Sequence, residues 1–166
     1  MHPCILGSTM KPRLYLETTI ISYYANRFSS NLIVAGRQQI TRDWWDEKGS
    51  RFELFVSPLV LNEAGAGELN SANRRMDAIK DIPVLAIDGD CEEVAALLIA
   101  NGQVPPQYPE DALHIAIAAV HSMDFLLTWN FSHINNAFTK HTIYKAIEKY
   151  GLSCPQICSP EELEEI

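Results

Sequence analysis

Residues 13–20 read Arg-Leu-Tyr-Leu-Glu-Thr-Thr-Ile, and this stretch decides how the chain begins to fold. Its first half, from Arg13 to Leu16, is short and mostly apolar, which predicts a β-strand. Glu17 and the two threonines after it interrupt the apolar run. Threonine is a common helix cap, so we expect a threonine to cap a helix that continues from Ile20. An acidic side chain therefore stands at the carboxyl end of the first predicted strand.

Short apolar segments alternate with helical segments along the rest of the chain. Strands are predicted at residues 52–57, 83–87, 125–128 and 156–158, and helices at residues 31–48, 58–64, 71–80, 89–100, 110–122, 139–150 and from 159 onward. In helix 31–48, the residues Ile33, Ile40 and Trp44 recur at helical spacing and predict its apolar face. Helix 110–122 is apolar on nearly every side, so we expect it in the core. This alternation is typical of an α/β sandwich around a parallel sheet.

The length of 166 residues fits a single domain, which we expect at residues 12–166 after an irregular leader at residues 1–11. The formal net charge of −8 excludes a protein that binds nucleic acid by its overall charge alone. Binding of phosphate would need a divalent cation or a local group of arginines. The candidates for such a group are Arg27, Arg37, Arg42, Arg74 and Arg75.

The cysteines and the apolar segments indicate a reduced, cytoplasmic protein. The four cysteines show no pair with the two-residue spacing of a zinc knuckle or a redox motif, so we expect free thiols. The most apolar segment, residues 112–120, is too short to span a bilayer, and no signal peptide is evident at the N-terminus. We therefore expect no association with a membrane.

Four oxygen-bearing side chains are predicted near one edge of the sheet. Glu17 follows the first strand, and Asn130 comes two residues after the strand at 125–128. Glu63 lies in the helix after the second strand, and Asp111 opens the apolar helix. Ligands of open parallel sheets bind beyond the carboxyl ends of the strands, and carboxylate and amide oxygens suit Mg²⁺ or Mn²⁺. Spacing alone also allows each acid to be a helix cap or a solvated residue.

Four segments resemble, in order and spacing, the motifs of PIN domains, and most closely those of VapC-like toxins of bacterial toxin–antitoxin pairs. The resemblance extends from about Arg13 to Glu162. The segments are residues 14–22 (LYLETTIIS), 57–63 (SPLVLNE), 110–116 (EDALHIA) and 126–131 (LLTWNF).

The resemblance implies a three-layer α/β/α sandwich and a Mg²⁺- or Mn²⁺-dependent endoribonuclease that forms a homodimer and is inhibited by a cognate antitoxin. Glu17, Glu63 and Asp111 match the family's three acids, which hold the metal, and Asn130 matches its fourth position. The first acid of the family is normally aspartate, so the extra methylene of Glu17 predicts that Glu17→Asp would raise cleavage. Asparagine at position 130 removes one negative charge, which predicts weaker metal binding.

Other interpretations of the sequence remain open at this point. A PIN-like module could bind RNA or a protein partner and cut poorly because of Glu17. A phosphatase-like hydrolase is a third possibility, although that class usually has a nucleophilic aspartate after the first strand. His114 and His121 lie about 10.5 Å apart along one helix, so we expect buried, hydrogen-bonded histidines and not a shared metal site. His133 either contacts substrate phosphate or is simply solvated.

Overall fold

The structure is a computed structural model, and it describes residues 10–163. Residues 10–12 precede the first strand without forming a helix or a strand. The rest of the predicted leader, residues 1–9, lies outside the described residues, as do residues 164–166.

A parallel sheet of four strands forms the centre of the fold. The strands are β1 (Arg13–Leu16), β2 (Glu53–Phe55), β3 (Phe125–Leu127) and β4 (Gln156–Cys158), in the spatial order β2-β1-β3-β4. Tyr15 of β1 pairs with Phe55 on one side and with Leu126 on the other, and Leu126 pairs with Ile157. The predicted parallel sheet is confirmed.

Helices cover the sheet in two groups that pack among themselves. The helices are α1 (Thr18–Ala25), α2 (Leu32–Lys48), α3 (Pro58–Ala64), α4 (Leu69–Ile79), α5 (Gly89–Ala100), α6 (Pro109–Val120) and α7 (Lys140–Tyr150), with a short 3₁₀ turn at Gly49–Arg51. Helix α1 packs on α2, α3 and α4, whereas α5 packs on α6 and α7. Helices on both faces of a parallel sheet give the predicted three-layer α/β/α sandwich.

The strand order reverses between β1 and β3, and we call the region beyond the carboxyl ends of these two strands the crevice. The chain passes from β1 to β2 on one side of the sheet and then crosses back over β1 to place β3 on the other side. Open α/β sheets bind their ligands at such a reversal, outside the carboxyl ends of the two strands. Glu17 directly follows β1 and Asn130 follows β3, so both residues stand at this crevice.

The core consists of the central strands and of α6. Leu14, Tyr15 and Leu16 are fully buried because β1 is covered on both faces. In α6, every side chain from His114 to Ala119 is buried, which confirms the prediction that this helix lies in the core. A buried α6 fixes the positions of Asp111 and His114 in its first turns.

The strand predicted at residues 83–87 is wrong. Only one bridge, between Val56 and Val84, joins this segment to the sheet. Pro83 has no N–H to donate, and Ser57 already caps α3, so β2 offers no further residue for pairing. The segment is held by Val56, which donates from its N–H to Pro83 and accepts from Leu85 N.

Two further predictions are wrong, one about the residue that caps α1 and one about a helix from residue 159. Glu17 caps α1, not a threonine, because its side chain accepts a hydrogen bond from Thr19 N. The helix predicted from residue 159 is absent from the described part, where residues 160–162 form turns. There Glu162 accepts from Ser159 N and from Asn135 Nδ2, and these bonds close the segment as a turn.

No helix among residues 10–163 is long and apolar enough to cross a membrane. Cys91, Cys154 and Cys158 are free thiols, as predicted, and Cys4 lies outside the described residues.

Candidate active site

The carboxylate of Glu17 is buried at the crevice and is fully engaged by donors of the chain itself. Only 4% of the residue is exposed. Its Oε1 accepts hydrogen bonds from Thr19 Oγ1 at 2.6 Å and from Thr128 Oγ1 at 2.5 Å, and its Oε2 accepts from Thr19 N at 3.1 Å. Hydrogen bonds of this kind offset the cost of burying a polar side chain. Glu17 thereby ties the end of β1 to the end of β3.

A row of hydrogen bonds continues from Thr128 to Asp111. Thr128 Oγ1 accepts from Asn130 N at 2.9 Å, and Asn130 Oδ1 accepts from His133 N at 3.0 Å. His133 Nδ1 lies 2.8 Å from Asp111 Oδ2, and its ring stacks on Tyr108 with centroids 4.0 Å apart. His133 is therefore positioned by Asp111 and is not a freely solvated loop histidine.

Glu63 is the fourth predicted residue, and it contacts the first turn of α1 and the second turn of α6. Its Oε1 accepts from Thr18 Oγ1 at 2.7 Å and lies 2.6 Å from His114 Nε2. Burial acts to raise the pKa of Glu63, but hydrogen bonding to His114, the electrostatic interaction with that ring and the Thr18 bond outweigh it and lower the pKa. The carboxylate is therefore ionised and needs these donors.

His114 is buried with both ring nitrogens bonded, which confirms its interpretation as a core histidine. Its Nδ1 lies 2.7 Å from Tyr15 Oη, which is 2.8 Å from Ser57 Oγ. Burial raises the pKa of Tyr15 far above its usual range, so the phenol keeps its proton.

Neither Thr18 nor Thr19 caps a helix, since both hydroxyls bond to acids.

The predicted residues thus meet at one region, although they do not form a compact ligand cluster. Hydrogen bonds connect Glu17, Asn130 and Asp111, while Glu63 joins through Thr18 and through His114, which lies one turn after Asp111. Within residues 10–163, the group of metal-ligating types whose atoms all lie within 4.8 Å of one another is Asp88, Cys91 and His121. Glu17, Glu63 and Asp111 are not part of such a group, so their role as metal ligands stays a prediction.

The group of Asp88, Cys91 and His121 lies elsewhere, and each member already has a local role. Asp88 caps α5 by accepting from Cys91 N at 3.0 Å, and His121 Nε2 donates to Ala86 O at 2.7 Å. Burial raises the pKa of Cys91 to about 11, which disfavours the thiolate that a metal would need. We therefore place the candidate active site at the crevice.

Of the five arginines suggested for binding phosphate, Arg37 lies beside the crevice. Its guanidinium stacks over the rings of Trp129 and Phe131, at 5.5 and 5.0 Å from their centroids. Arg42 and Arg75 instead bond to backbone carbonyls, and Arg75 is buried. They hold loops together and are poor candidates for substrate binding.

The sequence did not indicate the bonds that Thr128, Thr19 and His133 make in the site. Thr128 was not singled out, Thr19 was a candidate helix cap, and His133 was either a phosphate contact or a solvated residue. A signal was present for two of them, because Thr128 and His133 flank Asn130 in the loop after β3. The bonds that give them their role join residues as far as 111 positions apart, and no local pattern records such contacts.

A comparison with solved structures identifies the type of fold. The chain is similar to a chain of VapBC2 from Rickettsia felis, whose crystal structure was determined bound to a DNA fragment from their promoter. The TM-score is 0.55, and the match covers 88% of this chain and 97% of the other. The fold is PIN-like. At 14% identity the likeness concerns the fold alone, and neither a family model nor a curated protein matches the sequence.

Proposed function

We propose that this chain is a metal-dependent endoribonuclease that hydrolyses RNA phosphodiester bonds and serves as the toxin of a toxin–antitoxin pair. One observation carries the proposal: hydrogen bonds join Glu17, Asn130 and Asp111 into one network at the strand-order reversal of a PIN-like fold. The segments that contribute these residues are far apart in sequence, and the fold brings them to the place where open α/β sheets bind ligands.

Mg²⁺ or Mn²⁺ would be held by Glu63, Asp111 and Glu17. The described hydrogen bonds to Glu63 end on Oε1 and the bond to Asp111 ends on Oδ2, so each acid keeps an oxygen for a hard cation. Glu17 fits less well, because both of its oxygens accept hydrogen bonds. Such an ion, when bound, would supply positive charge and Lewis acidity toward an RNA phosphate.

The residues of the chain would bind and orient the substrate. Asn130 would orient the attacking water through its side-chain amide. Arg37 would add a fixed positive charge beside Asn130, because Trp129 and Phe131 hold its guanidinium in place. A local cation of this kind would offset the net charge of −8, which repels RNA.

Cleavage of RNA by the purified protein tests the proposal directly. We expect cleavage with Mn²⁺ or Mg²⁺ and none with a chelator. Asp111→Asn should reduce cleavage at least about a hundredfold and keep the fold, because it removes a charge and almost no volume. Glu110→Gln is the matched control, since Glu110 is exposed in the same turn of α6. Equal cleavage by folded Asp111→Asn and wild-type protein would exclude Asp111 from the reaction.

A second candidate function is a PIN-like module that binds RNA or a protein partner and cuts poorly. The observation that favours it is the complete engagement of the Glu17 carboxylate by Thr19 and Thr128. Calorimetric titration with Mn²⁺, paired with the cleavage assay, separates the two functions. Binding of Mn²⁺ or RNA without cleavage would support the binding module.

We also propose a cognate antitoxin and a homodimer as partners. The structural neighbour is named as a VapBC2 complex, and this chain exposes large apolar side chains that a partner would cover. The most exposed are Phe138 (89%), Leu32 (87%), Met10 (85%), Leu69 (71%) and Ile33 (68%). Light scattering should give twice the 18.6 kDa mass of one chain, and the product of a neighbouring small gene should co-purify with it. A monomer that binds no such product would contradict both partners.

A further inference from the structure

A buried row of hydrogen bonds leads from the core of the sheet to Glu63. Val60 N donates to Ser57 Oγ at 3.2 Å, and Ser57 Oγ lies 2.8 Å from Tyr15 Oη. Tyr15 Oη lies 2.7 Å from His114 Nδ1, and His114 Nε2 lies 2.6 Å from Glu63 Oε1. Ser57 and Tyr15 are fully buried and His114 is 1% exposed, so water does not replace any of these partners.

The chemistry at the Glu63 end sets the direction of every bond in the row. An ionised carboxylate only accepts, so His114 must donate from Nε2. Among the described bonds, the Ser57 hydroxyl has Tyr15 Oη as its acceptor, so the Tyr15 phenol donates its own proton to His114 Nδ1. The phenol oxygen in turn accepts from the Ser57 hydroxyl, whose oxygen already accepts from the backbone. Each polar atom is satisfied in one arrangement only.

We infer that Tyr15 and Ser57 are positioning residues that act through His114: they hold its ring as the Nε2–H tautomer, which fixes Glu63 Oε1 and leaves Oε2 for a ligand. The inference rests on the proposed function for its consequence at the metal site. It assigns no substrate contact to the row. Groups that orient a metal ligand through hydrogen bonds typically change metal affinity or activity by about 10- to 100-fold when they are removed.

The fold explains why this row can position a side chain accurately. Tyr15 lies in the middle of β1 and pairs with both neighbouring strands, through Phe55 and Leu126. His114 lies in the fully buried part of α6. A ring held between the central strand and a core helix has little freedom to rotate, and it transfers that rigidity to the half-exposed Glu63.

Nitrogen-15 NMR of histidine-labelled protein tests the tautomer without metal or RNA. We expect His114 Nε2 to carry the proton and Nδ1 to be unprotonated. The resonances of His114 are assigned as those that disappear in His114→Gln. In Tyr15→Phe, the preference for this tautomer should weaken. A proton on Nδ1 of His114 in the wild-type protein, alone or together with one on Nε2, would overturn the inference.

Binding of Mn²⁺ tests the consequence at Glu63. His114→Leu should weaken Mn²⁺ binding by about 10- to 100-fold, and Tyr15→Phe should weaken it in the same direction. His114→Gln retains an N–H donor and should recover most of the affinity, which a purely structural role would not predict. Tyr144→Phe is the matched control, because it removes a phenol that accepts from Ile157 N far from the crevice. Affinities of Tyr15→Phe and His114→Leu within twofold of wild type would refute the positioning role.

The two measurements also separate this inference from the proposed function. A wild-type protein that shows the expected tautomer and binds Mn²⁺ but cuts no RNA would contradict the proposed ribonuclease function and leave the positioning role intact. A protein that cuts RNA while His114 carries its proton on Nδ1 would support the ribonuclease function and contradict the positioning role. The wild-type tautomer needs no variant, so the test holds even where Tyr15→Phe fails to fold.

Discussion

Thr128 donates a hydrogen bond of 2.5 Å from its hydroxyl to Oε1 of Glu17, although 111 positions separate the two residues. The bond joins the ends of the two strands that border the crevice. Thr19 adds bonds from its hydroxyl and its backbone N–H to the same carboxylate. These donors are placed for a side chain of the length of glutamate.

We therefore expect Glu17→Asp to lower Mn²⁺-dependent RNA cleavage by about tenfold or more. The shorter side chain would lose reach to Thr128, and a displacement of about 1 Å in a reacting arrangement can cost on the order of a hundredfold in rate. This is the opposite of the expectation from the sequence, in which the extra methylene is a defect.

Initial rates of RNA cleavage under saturating Mn²⁺ decide whether Glu17→Asp lowers or raises the activity. Glu53→Asp is the matched control, since it makes the same change at an exposed position of β2 and should leave the rate within twofold. Faster cleavage by Glu17→Asp would show that glutamate is a poor substitute for aspartate at this position.

Asn130→Asp should tighten Mn²⁺ binding about fivefold, on the order of 1 kcal/mol. Aspartate keeps the oxygen that accepts from His133 N, so the loop after β3 should hold its shape, while a negative charge is added to the row of hydrogen bonds that ends at Asp111. Calorimetry gives the affinity. Asn101→Asp adds the same charge at an exposed position directly after α5 and should have little effect. Weaker binding by Asn130→Asp would argue that repulsion among the acids dominates.

The sequence predicted the sheet and most helices because their signal is local. Apolar runs, helical spacing and capping residues lie within a few positions of one another, and the strand order then follows from a few topological rules. The strand prediction for segment 83–87 is wrong because the segment has the apolar composition of a strand, whereas Pro83 and the short β2 limit its pairing to one bridge. Whether a strand forms depends on its neighbour as well as on its own residues.

Helix α2 shows a second limit of periodicity. Ile33 was expected on its apolar face but is 68% exposed, while the polar Gln38 and Thr41 are buried beside Trp44. Gln38 bonds to the loop before α2, at Ser29 N and Arg27 O. Partners from outside the helix compensate for buried polar groups, and a pattern within one helix does not contain them. The same reasoning applies to the hydrogen bonds of Glu17.

Thr41→Val should destabilise the fold by about 1–3 kcal/mol. Thr41 Oγ1 accepts from Trp129 Nε1 at 2.8 Å and donates to Arg37 O, and valine would leave the buried indole N–H without a partner. Urea denaturation gives the free energy of unfolding. Thr142→Val, at a partly exposed position of α7, is the control and should change it by less than about 0.5 kcal/mol. Equal losses of unfolding free energy in the two variants would mean that the hydrogen bond from Trp129 to Thr41 adds no measurable stability.

Glu63 should make the stability of the fold depend on pH in a defined direction. Although burial acts to raise the pKa of Glu63, His114 and Thr18 lower it below the ordinary value of 4.5. A carboxylate whose pKa is lower in the folded state stabilises the fold above the unfolded value, and this contribution is lost as the pH falls through the folded pKa. Wild-type protein should therefore exceed Glu63→Gln in unfolding free energy by more at pH 7 than at about pH 3. Glutamine can still accept from Thr18 and His114, so the variant removes the charge and keeps the shape of the contact. Urea denaturation at both pH values measures the difference, and Glu53→Gln, at an exposed position, should show a smaller change. A difference that is constant or that grows on acidification would mean that the contacts of Glu63 do not favour its ionised form.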